Sequence, residues 1–237
     1  MTVDVQAAPE SFTLDPKRAA VVVVDMQNDF GAFGGMFDRA GIDISAIRSV
    51  VEPTSRVLEA ARRVGIKVIY LKMEFRPDLS DSGGASSPNW LKHAPLGFGK
   101  PFTAPDGSPG GVLVQGVWNT EIIPELAPVP GDVLVSKHRY SGFYETDLDV
   151  ILKGLGVKQL VFTGCTTSVC VESTVRDAMF RDYACLVLSD CVAEPIGNDL
   201  VRTNHEASLT VIQTLFGWVS DSTALIEALA SQPLAAR

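Results

Sequence analysis

The sequence predicts a three-layer, doubly wound α/β fold of the Rossmann-like class, in which helices cover both faces of a parallel sheet. Short apolar runs rich in β-branched residues alternate along the chain with segments of helical periodicity. The runs fit strands that are buried on both faces. No linker rich in Pro, Gly or Ser separates two equal halves, so residues 1–237 are predicted to form a single domain.

Each element has its own signal. The predicted strands are RAAVVVV (18–24), IKVIYLK (66–72), GDVLVSK (131–137), KQLVFTG (158–164) and YACLVLSD (183–190), with a short apolar WVS near the end. Helical spacing marks residues 47–65, 145–156, 168–182, 199–217 and 221–231. The first helix is expected to stop at Gly65, and Asp221 or Ser220 can cap the last.

Residues 73–118 interrupt this alternation. The segment is dense in Gly, Pro and Ser and is too long for a simple connector. A disordered insertion is one interpretation. Its apolar side chains favour a packed, irregular excursion that covers part of the molecule: Phe75, Trp90, Leu91, Phe98 and Phe102.

Composition narrows the class of protein. Twenty Lys and Arg against 28 Asp and Glu give a net charge of −8, which argues against nucleic acid and anionic membranes as partners. The run AAVVVVDM is too short to span a bilayer, and the N-terminus lacks the features of a signal peptide. Four cysteines without a CxxC pair favour reduced thiols over disulfides or zinc, and together these features predict a cytoplasmic protein.

Three reactive side chains fall at or just beyond predicted strand ends, where parallel sheets bind ligands: Asp25, Lys137 and Cys170. A thiol at a helix N-terminus is expected to have a lowered pKa and to be a nucleophile, although most free cysteines are small buried hydrophobes. Asp25 is either a turn residue or a poorly solvated base, and Lys137 is either a snorkelling edge residue or the partner of that base. Together they form a plausible set of nucleophile, base and cation.

A histidine base is less favoured. His93 falls in the excursion, His205 in a helix, and His138 directly follows Lys137, so that it points to the other face if the strand continues.

Three segments carry a resemblance to a known family: VVVVDMQNDF (21–30), VSKHRYSGFYETDLD (135–149) and VFTGCTTSVCVESTVRDA (161–178). They resemble the signatures of isochorismatase-like cysteine hydrolases, and the likeness runs from about residue 18 to 230. The resemblance implies an isochorismatase-like fold with a six-stranded parallel sheet and a catalytic triad of Asp25, Lys137 and Cys170. It also implies a cis peptide between Cys165 and Thr166, and an oxyanion hole formed by the N–H groups of Thr166 and Cys170.

Two groups within this family differ in substrate. KHRYSGFYETDLD and FGWVSD resemble ureidoacrylate amidohydrolases, whereas FRPDLSD and Gln213 in VIQTLFG resemble biuret hydrolases. The expected reaction is cleavage of a C–N bond in a small linear ureide or amide. The resemblance also implies a homo-oligomer, a dimer or tetramer. Metal-binding relatives carry a His motif after the second strand; LKMEFRPDLSD has none, so no metal and no other cofactor are expected.

Predicted substrate contacts rest on weaker signals. The Gln213 amide suits the edge of a urea, and Arg76 or Arg139 could hold a substrate carboxylate. Aromatic residues are expected to form the pocket wall or its cover, with core packing as the alternative for each: Tyr140, Phe143, Phe30, Phe37, Phe75 and Trp90.

Other functions remain open. One is hydrolysis of another small amide, such as an N-carbamoyl amino acid. An isochorismatase that cleaves a vinyl ether would lack the cysteine nucleophile, so Cys170 argues against it. A non-catalytic Rossmann-like binding module would need a GxGxxG turn, and DMQNDFGAFGG lacks that spacing.

Overall fold

The computed structural model describes residues 1–234 and has a central sheet of six parallel strands. The strands of the chain are β1 (Val3–Val5), β2 (Phe12–Leu14), β3 (Ala19–Val24), β4 (Lys67–Met73), β5 (Pro101–Thr103), β6 (Pro109–Gly111), β7 (Val133–Lys137), β8 (Gln159–Cys165), β9 (Ala184–Ala193) and β10 (Trp218–Ser220). The α-helices are α1 (Asn28–Gly31), α2 (Met36–Arg39), α3 (Ser45–Ser49), α4 (Val51–Arg63), α5 (Pro88–His93), α6 (Leu148–Gly154), α7 (Glu172–Met179), α8 (Asn204–Leu215) and α9 (Ser222–Ala230).

The strand order of the central sheet is β10-β9-β8-β3-β4-β7, and every neighbouring pair is parallel. The first strand of the central sheet along the chain is β3. The strands β4 and β7 are added on one side of it, and β8, β9 and β10 are then added on the other. The order therefore reverses between β3 and β8, which opens a crevice beyond the carboxyl ends of these two strands. The predicted six-stranded parallel sheet is confirmed.

Two hydrophobic layers enclose the sheet. Val21 and Val23 of β3 pack in one layer with α4 and α9, while Val22 and Val24 pack in the other with α6, α7 and α8. All six residues of β3 are buried. This burial on both faces explains why the strand reads as a continuous apolar run without polar alternation.

Local sequence explains where several helices begin and end. The predicted helix 47–65 is divided into α3 and α4 at Val50, so that Pro53 falls in the first turn of α4, where a missing N–H costs nothing. Gly65 adopts a φ of 83° just past α4, and the Asp221 side chain caps α9 by accepting from the N–H of Ala224.

The segment after β4 packs onto the body of the molecule. It contains α5 and the antiparallel pair β5–β6. Phe75 and Phe98 are buried in it, with ring centroids 4.8 Å apart. Across residues 1–234, no helix combines the length and apolar character that crossing a bilayer requires.

Candidate active site

Asp25 and Lys137 meet at the carboxyl edge of the sheet. Asp25 directly follows β3, and Lys137 is the last residue of β7, with β4 between them. Lys137 Nζ lies 2.7 Å from Asp25 Oδ2, and both side chains are 0% exposed. Nζ also donates to the carbonyl of Arg139 at 3.3 Å, so the ammonium is held at two points. A buried ion pair of this kind depends on both partners, because either charge alone would be uncompensated.

The backbone of Asp25 has an unusual conformation. Its φ is 51°, in the left-handed region, and its N–H donates to the carbonyl of Leu71 on β4. Non-glycine residues in this region are uncommon and concentrate at functional sites. Oδ1 of Asp25 is buried and has no hydrogen-bond partner within residues 1–234. One carboxylate oxygen is therefore held by Lys137, whereas the other has no partner among the described residues.

Cys170 approaches the same edge from β8. That strand ends at Cys165, and the peptide bond between Cys165 and Thr166 is cis. Residues Thr167–Val171 form one π-helical turn, and the regular helix α7 begins only at Glu172. Cys170 thus lies in an irregular turn before the helix, where the sequence predicts a helix from residue 168.

Glycine at position 164 allows the close approach of β8 to β3. Gly164 has a φ of 110°, and a Cβ there would lie 2.0 Å from the carbonyl oxygen of Val24. No residue with a side chain fits this position without moving the backbone. Because Asp25 is the next residue after Val24, the glycine sets how near the π-helical turn Thr167–Val171 comes to the Asp25 carboxylate.

The environment of Cys170 differs from the one predicted. Burial raises the pKa of the Cys170 thiol, and the positive charge of Lys137 only partly opposes this effect. The expectation of a pKa lowered by a helix N-terminus is therefore wrong, because desolvation outweighs the field of one irregular turn. A thiolate at Cys170 would add a second negative charge opposite the single ammonium of Lys137.

The ion pair itself has shifted pKa values. Burial raises the pKa of Asp25, while Lys137 and a contact with Cys170 oppose this shift. Burial lowers the pKa of Lys137, but the carboxylate of Asp25 and the contact with Cys170 raise it by more, so the net shift of the pKa is upward. The Cys170 thiol lies in contact with Asp25 and with Lys137, and each of these contacts affects its pKa.

A cavity of about 110 Å³ opens over Cys170. Its volume is well below the roughly 300–1,000 Å³ of pockets for drug-sized ligands, so it suits a very small molecule. Its lining is Phe30, Met36, Phe37, Met73, His93, Leu96, Tyr140, Thr166, Val169, Cys170 and Ile196. No Asp, Glu, Lys or Arg is among these lining residues.

Some of the predicted pocket residues lie at this cavity. Phe30 and Phe37 line it and contact each other edge to face, with ring centroids 5.1 Å apart. Tyr140 also lines it; burial raises the pKa of its hydroxyl, and the nearby Cys170 raises it further. Thr166, one of the two predicted oxyanion donors, lies beside Cys170 in the same wall.

Three of the predicted aromatic contacts do not reach the cavity. Phe75 is fully buried behind it against Phe98, and Trp90 packs edge-on against the same ring. Phe143 is buried in the core against Tyr183, with ring centroids 6.0 Å apart. Their role is packing, which was the alternative that the sequence left open.

The predicted polar substrate contacts also lie elsewhere. Arg76 is exposed and lines a separate polar cleft with Asp81. The Arg139 guanidinium is engaged within the protein, since its Nη1 donates to the carbonyl of Asp81 at 3.1 Å. Gln213 lines a cleft that also contains Ala184 and Trp218, the first residues of β9 and β10. Gln213 is thus at the opposite edge of the sheet, and its assignment as a substrate contact is corrected.

Two residues of the DMQNDF segment support the site and were not identified from the sequence. Gln27 bridges β3 and β4: its Nε2 donates to the carbonyl of Met73 at 3.1 Å, and its Oε1 accepts from the Met73 N–H at 2.8 Å. Asp29 accepts from the N–H groups of Met36 and Leu113, which attaches the excursion to α1. The available signal was a run of polar residues immediately after a strand buried on both faces.

The π-helical turn Thr167–Val171 is held by two contacts that could not be identified from the sequence. Glu194, just past β9, is buried and accepts from the N–H of Ser168 at 2.9 Å. His205 Nδ1 lies 3.0 Å from Thr167 Oγ1. These contacts fix the turn that carries Cys170, and no local sequence pattern reveals them because their partners are distant in the chain.

A family model for the isochorismatase domain matches residues 19–224. This span includes most of the chain and all three side chains that converge at the sheet edge. The chain belongs to the isochorismatase family. The resemblance seen in the sequence is therefore confirmed.

Relatives of this isochorismatase-family chain are similar over nearly their whole length. The ureidoacrylate amidohydrolase RutB of Methylorubrum extorquens is 41% identical over 229 residues, covering 97% of this chain and 90% of that protein. The protein of the same name from Cronobacter sakazakii is 38% identical over 234 residues, covering 99% and 98%.

Two solved structures have a similar fold. A cysteine hydrolase from Pseudomonas syringae has a TM-score of 0.76 and 31% identity, covering 92% of this chain and 95% of that one. N-carbamoylsarcosine amidase from Thermoplasma acidophilum has a TM-score of 0.63 and 28% identity, covering 86% and 96%.

Proposed function

We propose that the protein is a cysteine amidohydrolase that cleaves a C–N bond of a small linear ureide or amide. The observation that carries the proposal is the buried Asp25–Lys137 pair next to the Cys170 thiol under a small apolar cavity. Relatives named as ureidoacrylate amidohydrolases support the reaction class. No cofactor takes part in the proposed reaction.

In the first half of the reaction, Asp25 Oδ1 accepts the thiol proton while the sulfur of Cys170 attacks the substrate carbonyl carbon. Proton transfer and attack occur together because a free thiolate is disfavoured in this buried site. Lys137 keeps Asp25 ionised until substrate arrives and fixes its other oxygen. A carboxylate whose pKa is raised is well matched to accept a proton and then return it.

The oxyanion that forms is held by the N–H groups of Thr166 and Cys170. Neighbouring donors of the same turn are already engaged: the N–H of Ser168 donates to Glu194, and those of Val169 and Val171 donate to the carbonyl of Thr166. Losing one such donor typically lowers kcat by about 10²–10³-fold.

In the second half, the C–N bond breaks and Asp25 returns the proton to the leaving nitrogen. A thioester or thiocarbamate remains on Cys170. Water then adds to its carbonyl carbon, with Asp25 accepting the proton, and the C–S bond breaks as the thiol is reprotonated. The products are an amine or ammonia and a carboxylic or carbamic acid.

Ureidoacrylate is the first substrate to test, because the curated relatives carry that name. Biuret and triuret remain alternatives from the sequence motifs. An N-carbamoyl amino acid is a further candidate, favoured by the structural likeness to N-carbamoylsarcosine amidase. All of these compounds share a terminal H₂N–C(=O)–N group. They are small, and a cavity of about 110 Å³ suits small molecules better than large ones.

The test replaces Cys170 with Ala and with Ser and measures product release from ureidoacrylate, biuret, triuret and N-carbamoylsarcosine. Both variants are expected to lose activity by several orders of magnitude, and the wild-type enzyme to form a carbamoyl or acyl adduct on Cys170 visible by mass spectrometry. Cys185→Ala is the matched control, since that thiol is also free and buried but lies in β9. Unchanged turnover by Cys170→Ala would refute the proposal.

We also propose that the enzyme works in the cytoplasm as a homo-oligomer, a dimer or tetramer. All four cysteines are free and buried, as expected for a reducing compartment. Phe180 and Leu215 are large apolar side chains exposed on the surface. Sedimentation of the purified protein measures the oligomeric state, and a monomer at micromolar concentration would contradict the second part.

A further inference from the structure

His93 is a polar side chain in an otherwise largely apolar cavity wall. It ends α5 in the excursion after β4 and lines the cavity over Cys170. Its ring packs among aromatic neighbours, 6.1 Å from Phe98 and 5.9 Å from Tyr140 between centroids. The mechanism proposed above gives this imidazole no task, although a buried polar group in such a wall needs a partner.

The contacts of His93 define its tautomer. Nδ1 lies 2.7 Å from the carbonyl oxygen of Asn89. A carbonyl only accepts hydrogen bonds, so Nδ1 must carry the hydrogen. Burial lowers the pKa of His93, the hydrogen bond to Asn89 opposes this effect, and the cations of Lys137 and Arg139 lower the pKa further, so the net shift favours the neutral ring. In a neutral ring with hydrogen on Nδ1, Nε2 is a pure acceptor.

Nε2 has no hydrogen-bond partner within residues 1–234. It is also not one of the fully inaccessible polar atoms that lack a partner, so part of its surface is accessible. The cavity that His93 lines is an open space next to its ring. A ligand that fills the cavity must offer Nε2 a donor, or the acceptor loses its water without replacement.

We propose that His93 Nε2 is a specificity-determining acceptor, which takes a hydrogen bond from the amino group on the carbonyl that Cys170 attacks. The inference rests on the proposed function and deepens it. It assigns the enzyme to substrates with a primary carbamoyl or amide NH₂, the feature common to ureidoacrylate, biuret and N-carbamoyl amino acids. It predicts a lower but measurable kcat/KM for ureides whose terminal nitrogen carries two alkyl groups, because such a nitrogen has no hydrogen to donate.

The experiment compares wild type, His93→Phe and His93→Gln on ureidoacrylate and on its derivative dimethylated at the terminal nitrogen. His93→Phe keeps an aromatic ring among Phe98 and Tyr140 but removes the acceptor. It is expected to lower kcat/KM for ureidoacrylate about tenfold or more, mainly through KM, and to change the dimethyl derivative by less than about threefold. His93→Gln, whose amide oxygen can accept, is expected to recover most of the loss.

Equal losses on both compounds, or no loss on ureidoacrylate, would overturn the assignment of His93 while leaving the hydrolase intact. A wild-type enzyme inactive on all the ureides would instead refute the proposed function. A second measurement uses ¹⁵N NMR of the histidine rings in Cys170→Ala. Ureidoacrylate is expected to shift the Nε2 resonance of His93 in its neutral form, and an unchanged resonance at saturating ligand would count against the hydrogen bond.

Discussion

Replacing Lys137 by Met tests the electrostatic core of the site. Met has a similar length and packs well, so the substitution mainly removes the ammonium. At an Nζ–Oδ2 distance of 2.7 Å, Coulomb attraction at an effective dielectric constant of 20 is roughly 6 kcal/mol. Removing one partner of a buried ion pair typically costs about 3–5 kcal/mol, because the other charge is left buried without compensation. This cost is smaller than the Coulomb attraction because Asp25 can bind a proton and become neutral. We expect Lys137→Met to lower the free energy of unfolding by about 4 kcal/mol at neutral pH.

The loss should depend on pH in a defined direction. Without Lys137, the pKa of Asp25 rises further above its unfolded value. A carboxyl group with a raised folded-state pKa destabilises the folded state increasingly as pH rises from its unfolded pKa to its folded-state pKa, and the effect is complete above the latter. The deficit of the variant is therefore expected to be smallest in acid, where Asp25 is protonated in both states, and largest above the raised pKa.

Urea unfolding at several pH values, with hydrolysis assays in parallel, measures both effects. The double variant Asp25→Asn with Lys137→Met should recover much of the stability but none of the activity. Lys153→Met is the matched control, because Lys153 Nζ lies 2.6 Å from Asp149 Oδ2 but these side chains are 64% and 29% exposed. Its cost should stay below about 1 kcal/mol. Equal costs for the buried and the exposed pair would refute the reasoning.

Three further predictions concern the same edge of the sheet. First, because burial raises the pKa of Asp25, kcat/KM should fall as pH is lowered through a value above the ordinary aspartate range; full activity down to about pH 4 would contradict this. Second, the raised pKa of Cys170 predicts that iodoacetamide labels it slowly at neutral pH and faster as pH increases; a plateau reached by pH 8 would instead indicate a stable thiolate. Third, Gly164→Ala should destabilise the fold by several kcal/mol and abolish activity, because its Cβ would lie 2.0 Å from the carbonyl oxygen of Val24. Gly154→Ala, at an open helix position, should be neutral or stabilise by up to about 1 kcal/mol, and thermal melts with soluble yields compare the two.

The architecture could be read from the sequence because its strands are buried on both faces. β3 and β8 appear as continuous apolar runs, and the helices between strands require parallel pairing. Details that depend on single residues were harder to read. Pro53 divides one periodic segment into two helices, and the π-helical turn before α7 has the same apolar spacing as a regular helix start.

The candidate site was predictable only in part. The sequence brought together Asp25, Lys137 and Cys170 because strand ends of a parallel sheet share one edge. It misplaced Gln213, because periodicity does not show how far along a helix the site extends. His205, near the start of α8, contacts Thr167 in the turn that carries Cys170. Gln213 lies eight residues further along the same helix, a distance of about 12 Å.

The sign of the Cys170 pKa shift could not be read from the sequence either. The sequence shows the position of the thiol relative to a helix, but not the depth at which it is buried. His93 was missed as a pocket residue for a similar reason: only the folded excursion brings α5 over the cavity.

Because the excursion lies over the sheet edge, the residues around the site come from two separate parts of the chain. Asp25, Lys137 and Cys170 come from strand ends and the turn after β8, whereas His93 and Leu96 belong to a stretch inserted after β4. We expect substitutions at His93 and Leu96 to change part of the cavity lining while Asp25, Lys137 and Cys170 stay in place. Related proteins could thus differ in substrate range through substitutions in the excursion alone, with the sheet unchanged.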